Sequence, residues 1–216
     1  VSWWRVNRWG LLLVLPLLAA ALAAGSFRLV TLYLPWFTSP GTHVEGAVTV
    51  TTDSSFVVYP DGEEYTATFT PLDIVPVSSA PDDAYLGDGS DLAAAPGARL
   101  WRLTTQVEAD PAMSLVECRI SLLGPDGTHY VAGLAQTTSD GSVVVPALSA
   151  GSCVPTGTPG PYSDLDGRVQ PVAEGEERPA TYTIDTYVAV PSTVVPDRVR
   201  VDMSMGGHWT VDTPGA

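Results

Sequence analysis

One long uncharged apolar run lies early in this chain, and several later stretches alternate apolar with polar residues. From Trp9 to Phe27 the stretch WGLLLVLPLLAAALAAGSF holds no charged residue. Coiled as a helix it extends roughly 28 Å, close to the hydrocarbon thickness of a bilayer. A second apolar stretch, Leu29 to Phe37, follows Arg28, and the Ser39-Pro40-Gly41 turn stops it. From residue 42 the period becomes two. Val48 and Val50 alternate with Thr49 and Thr51. Tyr182, Ile184, Thr186 and Val188 alternate with Thr181, Thr183, Asp185 and Tyr187, and Val199, Val201, Met203 and Met205 with Arg198, Arg200, Asp202 and Ser204. Only a strand with one buried face repeats this way. Arg99 to Val107 and Leu115 to Leu123 read as longer strands, and no helical period follows residue 42. The pattern predicts about nine strands between residues 44 and 212, arranged as an antiparallel β-sandwich.

Two turns are legible in detail. Tyr59-Pro60-Asp61-Gly62 separates the apolar runs Phe56–Tyr59 and Tyr65–Phe69, and Gly124-Pro125-Asp126-Gly127 separates Leu115–Leu123 from Thr128–Val131. Proline presets the first central dihedral and glycine accepts a positive φ, so each Pro-Asp-Gly is expected to join a hairpin. Residues 78–98 and 155–179, rich in Pro, Gly, Ser, Asp and Glu, are predicted as long loops.

The flanks of the first apolar run orient it. Trp3, Trp4 and Trp9 are interleaved with Arg5 and Arg8. Indole rings favour the headgroup region and Arg stays on the cytoplasmic side, so the N-terminus is expected in the cytoplasm and the remainder outside. Arg28 snorkels to the outer headgroups, and Tyr33, Trp36 and Phe37 form a second aromatic belt, or the end of a helix that docks on a larger membrane protein. The expected division is a stub, membrane span and interfacial segment over 1–37, a linker over 38–43 and an extracytoplasmic β-domain over 44–216. The rival reading is a cleaved signal peptide, for which the small residues Ala19 to Ser26 are suited. The apolar run exceeds the usual 7–15 residues of such a signal, which favours a retained single-pass anchor.

Charge and cysteine content agree with two environments. The formal net charge is −14, from 10 basic and 24 acidic residues; every basic residue is Arg. Three of those Arg precede residue 29 and all the acidic residues follow it. So acidic a chain is not expected to bind nucleic acid, and one without Lys has no Schiff-base or Walker A lysine chemistry. Cys118 and Cys153 are an even pair on the expected outer side and read as one disulfide. Closing a loop of roughly 36 residues stabilises the fold by about 4 kcal/mol in the chain-entropy account.

Catalytic signatures are absent from the sequence: no G-x-S-x-G, no HExxH, and three scattered histidines, His43, His129 and His208. Glu45, Glu108 and Glu117 offer carboxylates, but with so many acids a coincidental pair identifies no glycosidase. No catalytic, cofactor-binding or metal-ligating residue is therefore assigned, and the chain is not expected to be an enzyme. Ca²⁺ is the one cofactor candidate. Asp82 to Asp91 carries four carboxylates, and Ser163-Asp164-Leu165-Asp166-Gly167 contains an Asp-x-Asp-Gly fragment of a Ca²⁺ loop, though neither has the closing Glu of the twelve-residue pattern. The plainer reading is that both are solvated acidic loops.

The basic-aromatic start (Trp3 to Trp9), the span and the block Cys118-Arg119-Ile120-Ser121-Leu122-Leu123-Gly124-Pro125-Asp126-Gly127-Thr128, with Tyr182 to Pro191 and Val199 to Met205 as closing strands, together resemble the membrane-anchored exported proteins of high-GC Gram-positive bacteria that carry an immunoglobulin-like β-sandwich. That resemblance is architectural. It implies an immunoglobulin-like sandwich with one disulfide and an adhesion, sensing or accessory role, and it brings no catalytic residue with it. The leading functional expectation is a non-catalytic accessory or scaffold subunit, anchored in membrane lipid beside a polytopic partner such as a transporter or permease. The alternatives are a free-standing envelope module that binds wall polymer, a small ligand or Ca²⁺, and an envelope hydrolase marked by a pocket with a carboxylate pair or a Ser/His contact.

Overall fold

The computed structural model describes residues 41–52, 59–80, 93–115, 118–132, 136–137, 143–144, 152–155, 157–158, 160–164, 168–173, 175, 177–203 and 207–215, together with Val14, Leu17 and Ala21. The chain divides into two compact units, Val1–Ser39 and Pro40–Ala216. In the first, Val14, Leu17 and Ala21 are helical and exposed. No helix of the described residues is long and apolar enough to cross a membrane. The anchor expectation falls on Trp3, Trp4, Arg5, Arg8, Trp9, Arg28, Tyr33, Trp36 and Phe37, all outside the described residues.

The second unit is mainly β. One sheet has five strands in the order β1 (Thr42–Val44), β13 (Gly207–Asp212), β12 (Arg198–Met203), β5 (Arg119–Leu123) and β6 (His129–Val131). A four-stranded sheet follows the order β11 (Thr181–Pro191), β4 (Ala98–Ala109), β3 (Thr66–Val77), β2 (Val48–Thr51). Two short hairpins complete it: β7 (Gln136–Thr137) with β8 (Val143–Val144), and β9 (Tyr162–Ser163) with β10 (Val169–Gln170). All pairings are antiparallel except β1 with β13, which is parallel. Thr42 and His43, within the stretch read as a linker, are thus strand.

The alternation explains how the two larger sheets stack. Val48, Val50, Phe69, Leu103, Val107 and Val188 from one meet Ile120, Leu122, Val199, Val201 and Val211 from the other, none more than 2% exposed. Such stacking of two inner faces is a β-sandwich. Cys118 and Cys153 join the same core, both fully buried, and are bonded as a disulfide with Cα atoms 5.4 Å apart. The bridge seats Ser152 opposite Arg119 at the start of β5.

Several elements differ from their sequence expectation. Thirteen strands are present among the described residues rather than about nine, because strands of two or three residues carry no readable period. Of the run from Leu115, the described strand is Arg119–Leu123; ahead of it the Cys118 amide donates to the Leu115 carbonyl at 3.0 Å. Conversely β3 continues eight residues past Phe69, through Pro71 and Pro76. Both prolines lie beyond the four residues that pair with β2, where β3 has a free edge among the described residues and a missing N–H costs nothing. The second Pro-Asp-Gly joins the β5–β6 hairpin, with Gly127 at φ 81° donating to the Gly124 carbonyl. The first makes its turn, Gly62 donating to the Tyr59 carbonyl, and leads into β3; the strand expected over Phe56–Tyr59 lies outside the described residues apart from Tyr59. The expected loop 155–179 contains the β9–β10 hairpin.

Nor is the polar side of each alternating strand open to water. Tyr187 and Leu100 lie on the face of the four-stranded sheet turned from the core, and they pack with Ala80, Val77 and Ala94. Arg200, on the corresponding face of the other sheet, is only 4% exposed.

Candidate functional site

Two places bring chemically useful side chains together. The first is a cleft of about 610 Å³ beside the end of β4. Its walls come from three connections: the turn of Tyr59, Pro60 and Asp61 leading to Tyr65; the segment Asp110-Pro111-Ala112 after β4; and Pro161, Val169, Pro171 and Val172 around the β9–β10 hairpin, with Glu177 beyond. Prolines close each segment because these are the points where the chain leaves sheet pairing.

Hydrogen bonds within the connections hold these walls. Asp61 Oδ1 accepts from the Glu63 amide at 3.1 Å, and Asp61 Oδ2 accepts from the Tyr65 hydroxyl. That hydroxyl bond is the main reason the Asp61 carboxyl titrates below the usual carboxylate value, and it pushes the Tyr65 phenol up to about 12. The Tyr59 and Tyr65 rings lie 4.5 Å apart, tilted by 49°. The Tyr59 hydroxyl is turned inward and accepts the Ser114 amide at 3.0 Å; burial raises its pKa. Asp110 Oδ1 caps its own turn by accepting the Ala112 amide at 2.8 Å, and Glu177 Oε2 accepts the Gly175 amide at 2.8 Å.

Behind this cleft lies Arg178, 1% exposed. Its Nη2 donates to the carbonyls of Asp110 at 2.8 Å and Met113 at 2.9 Å, and its guanidinium carbon lies 5.9 Å from the Tyr182 ring centre. Burial lowers its pKa, opposed by Tyr182, Tyr59 and Asp110. Tyr182 donates to the Cys153 carbonyl at 2.7 Å, and burial pushes its phenol up to about 12. Arg178 thus ties the Asp110–Met113 wall to the segment entering β11, and Tyr182 ties β11 to the disulfide. Gly160 makes room for it: at φ +78°, a Cβ there would lie 3.0 Å from Arg178 Nη1.

The second place is the outer face of the five-stranded sheet. By register, His43 stands opposite Thr210, His208 opposite Asp202, Arg200 opposite Ser121 and His129 opposite Leu123. The scattered histidines therefore share one face of one sheet. His43 Nε2 lies 3.8 Å from Asp212 Oδ2. Ser121 Oγ and His129 Nε2 are 2.6 Å apart, the contact expected of an activated serine. Ser121 is, however, 2% exposed, with its hydroxyl also within reach of the Arg200 carbonyl at 3.5 Å, so no substrate reaches that oxygen in this conformation. Arg200 pairs with Asp202, Nη2 to Oδ1 at 2.7 Å. Burial holds His129 below its usual pKa, aided by the charge of Arg200 and opposed by Asp202.

Among the described residues, the remaining sequence candidates are not drawn together. Among the described residues no group of three His, Cys, Asp or Glu is arranged to hold a metal ion. Asp164 spends both oxygens on its own hairpin, accepting the Arg168 amide and Gln170 Nε2 at 2.9 Å each. Asp82 to Asp91 and Glu117 lie outside the described residues. Glu108 sits on β4 and accepts from Gln106 Nε2 at 2.6 Å. The cleft residues Tyr65, Asp110 and Glu177, and Arg178 behind them, escaped sequence reasoning. They come from three separate segments, and the only local signal was the turn at Tyr59–Gly62.

No family model and no curated protein matches the chain. Among solved structures there is a similarity to MPT63, a secreted protein from Mycobacterium tuberculosis, with 13% identity, 78% of this chain and 96% of that chain covered and a TM-score of 0.39. So distant a likeness carries no argument; the β-sandwich stands on the strand pairing described above.

Proposed function

We propose that this chain is a non-catalytic extracytoplasmic binding module, carried on an N-terminal membrane anchor, whose ligand sits in the cleft between Tyr59, Tyr65 and Pro171. The observation that carries this reading is the cleft itself. Its volume falls in the range of small-ligand sites, and it combines apolar walls with a few fixed polar groups. The disulfide, buried beside β5, suits an oxidising compartment and supports the extracytoplasmic placement. The closed Ser121–His129 pair weighs against the hydrolase reading at that face.

The test is a panel of small cationic, neutral and anionic organic molecules, added to the full chain in lipid nanodiscs and followed by amide chemical shifts. Binders whose shifts concentrate on residues 59–65, 110–113 and 169–177 are expected. A panel without any such binder refutes the reading. The accessory-subunit reading keeps one specific motive, the second aromatic segment with Tyr33, Trp36 and Phe37 beyond the span. Mild-detergent purification from native membranes is expected to retain a stoichiometric polytopic partner under that reading; a chain that elutes alone counts against it.

A further inference from the structure

The cleft has a sign as well as a shape. Every charged residue among its described lining is acidic: Asp61, Asp110 and Glu177. Arg178 is buried behind the wall and directs Nη2 to two main-chain carbonyls, and Arg168, next in sequence to Val169, is not among the lining residues. Asp61 remains ionised into the acid range because Tyr65 donates to it. Two tyrosine rings tilted against each other stand at one wall, and proline and valine make up most of the remainder. An anion entering here meets three carboxylates. A small inorganic cation loses water to walls that offer mostly carbon. A weakly hydrated organic cation gains from both features, through its charge with the carboxylates and ring faces and through its alkyl groups with Pro and Val.

Resting on the binding-module reading above, we infer that the cleft selects an alkylated ammonium group, of the quaternary type found both in free solutes and in lipid headgroups.

The experiment compares three molecules of one shape on the full chain in nanodiscs of phosphatidylglycerol: choline, its uncharged carbon isostere 3,3-dimethylbutan-1-ol, and the anion 3,3-dimethylbutanoate. Choline is expected to bind about tenfold more tightly than the neutral isostere, with the anion weakest. Glu177→Gln, at an exposed position, is expected to weaken choline about threefold and leave the neutral isostere unchanged. Tyr65→Leu is expected to reduce the preference for choline further, and its chemical-shift pattern reports whether the fold is retained. Equal binding of choline and the isostere, or tighter binding of the anion, overturns the inference while leaving a ligand-binding cleft. No binding by any of the three, where the wider panel finds another cleft binder, also overturns it; a wholly silent panel removes the binding-module reading as well. Nanodiscs of phosphatidylcholine separate the sources. Cleft shifts present there before choline is added identify a lipid headgroup, and shifts that need added choline identify a free solute.

Discussion

Replacing Arg178 with Met tests the claim that one buried cation holds the cleft wall. Met keeps much of the apolar stem and removes every donor. The guanidinium Nη2 makes two bonds to main-chain carbonyls, at 2.8 and 2.9 Å. Hydrogen bonds to a charged group contribute about 1.5–3 kcal/mol each. The two losses are not equal, because the Asp110 carbonyl also accepts the Met113 amide at 2.9 Å and keeps that partner. The Met113 carbonyl carries the larger penalty. Against the loss stands relief from keeping a guanidinium out of water, which Met does not require. The net expectation is a destabilisation of about 3 kcal/mol. With a urea m-value of about 2 kcal/mol/M, the unfolding midpoint followed by near-ultraviolet circular dichroism falls by about 1.5 M. A fall under about 0.25 M, with m unchanged, refutes the account and reduces Arg178 to a space-filler. A companion variant checks the geometry: Gly160→Ala places a Cβ 3.0 Å from Nη1 at φ +78° and is expected to destabilise the native protein. In the Arg178→Met background the contact with Nη1 is gone, while the 3.2 Å approach to the Cβ of residue 178 and the backbone strain remain, so the two costs are less than additive.

Three further outcomes follow from the sandwich. Replacing both Cys118 and Cys153 by Ala is expected to lower stability by about 4 kcal/mol, and because both cysteines are fully buried in the unsubstituted protein, its thiol-specific labelling after reduction should be slow until the domain unfolds; an unchanged denaturation midpoint of the double variant contradicts this. His129 is held below its usual 6.5 in the fold, so the unfolded chain takes up that proton first: its contribution to stability is complete above about pH 6.5 and is lost as the pH falls through that value towards the lower folded pKa. Burial sets this first, with Arg200 and His208 adding to it and Asp202 opposing it, and His129→Gln should flatten the midpoint-versus-pH curve in that window, leaving the carboxylate-driven fall below it; an unaltered curve sinks the assignment. Gly127→Ala meets no atom within 4 Å of its new Cβ, so its cost, about 1–2 kcal/mol, should come from the φ of +81° alone, and a stabilised variant would contradict the left-handed turn.

Where the sequence could be read, it was read through short-range rules. The alternation in Val199–Met203 and Thr181–Val188 marks β12 and β11 because a strand with one face in a core must repeat every two residues. Gly124–Gly127 reads as a hairpin because Pro and Gly constrain the dihedrals in place. The two cysteines pair because the chain offers no other partner. The same rules carried the apolar run only to Phe69, whereas β3 continues through Pro71 and Pro76, which lie beyond its pairing with β2 among the described residues. They also misjudged Tyr187 and Arg200, because alternation tells which side of a strand a residue faces and not whether another segment covers that side.

The site lies further from the reach of local pattern. Tyr65 meets Asp61 within one turn, yet Arg178 meets Asp110 and Met113 from 68 and 65 residues away. His43, His129 and His208 come to one face only through the order β1-β13-β12-β5-β6, which places the first and last strands of the domain side by side. Sequence alone determined that the domain is built of strands, that its cysteines pair and that an uncharged apolar run long enough for a bilayer precedes it, because each depends on near neighbours or on composition. Tertiary structure decided which connections meet to form a cleft, which arginine is buried behind it and whether Ser121 is open to substrate, because these depend on the pairing of distant strands, and hydropathy along one strand contains no record of the segment that will lie across it.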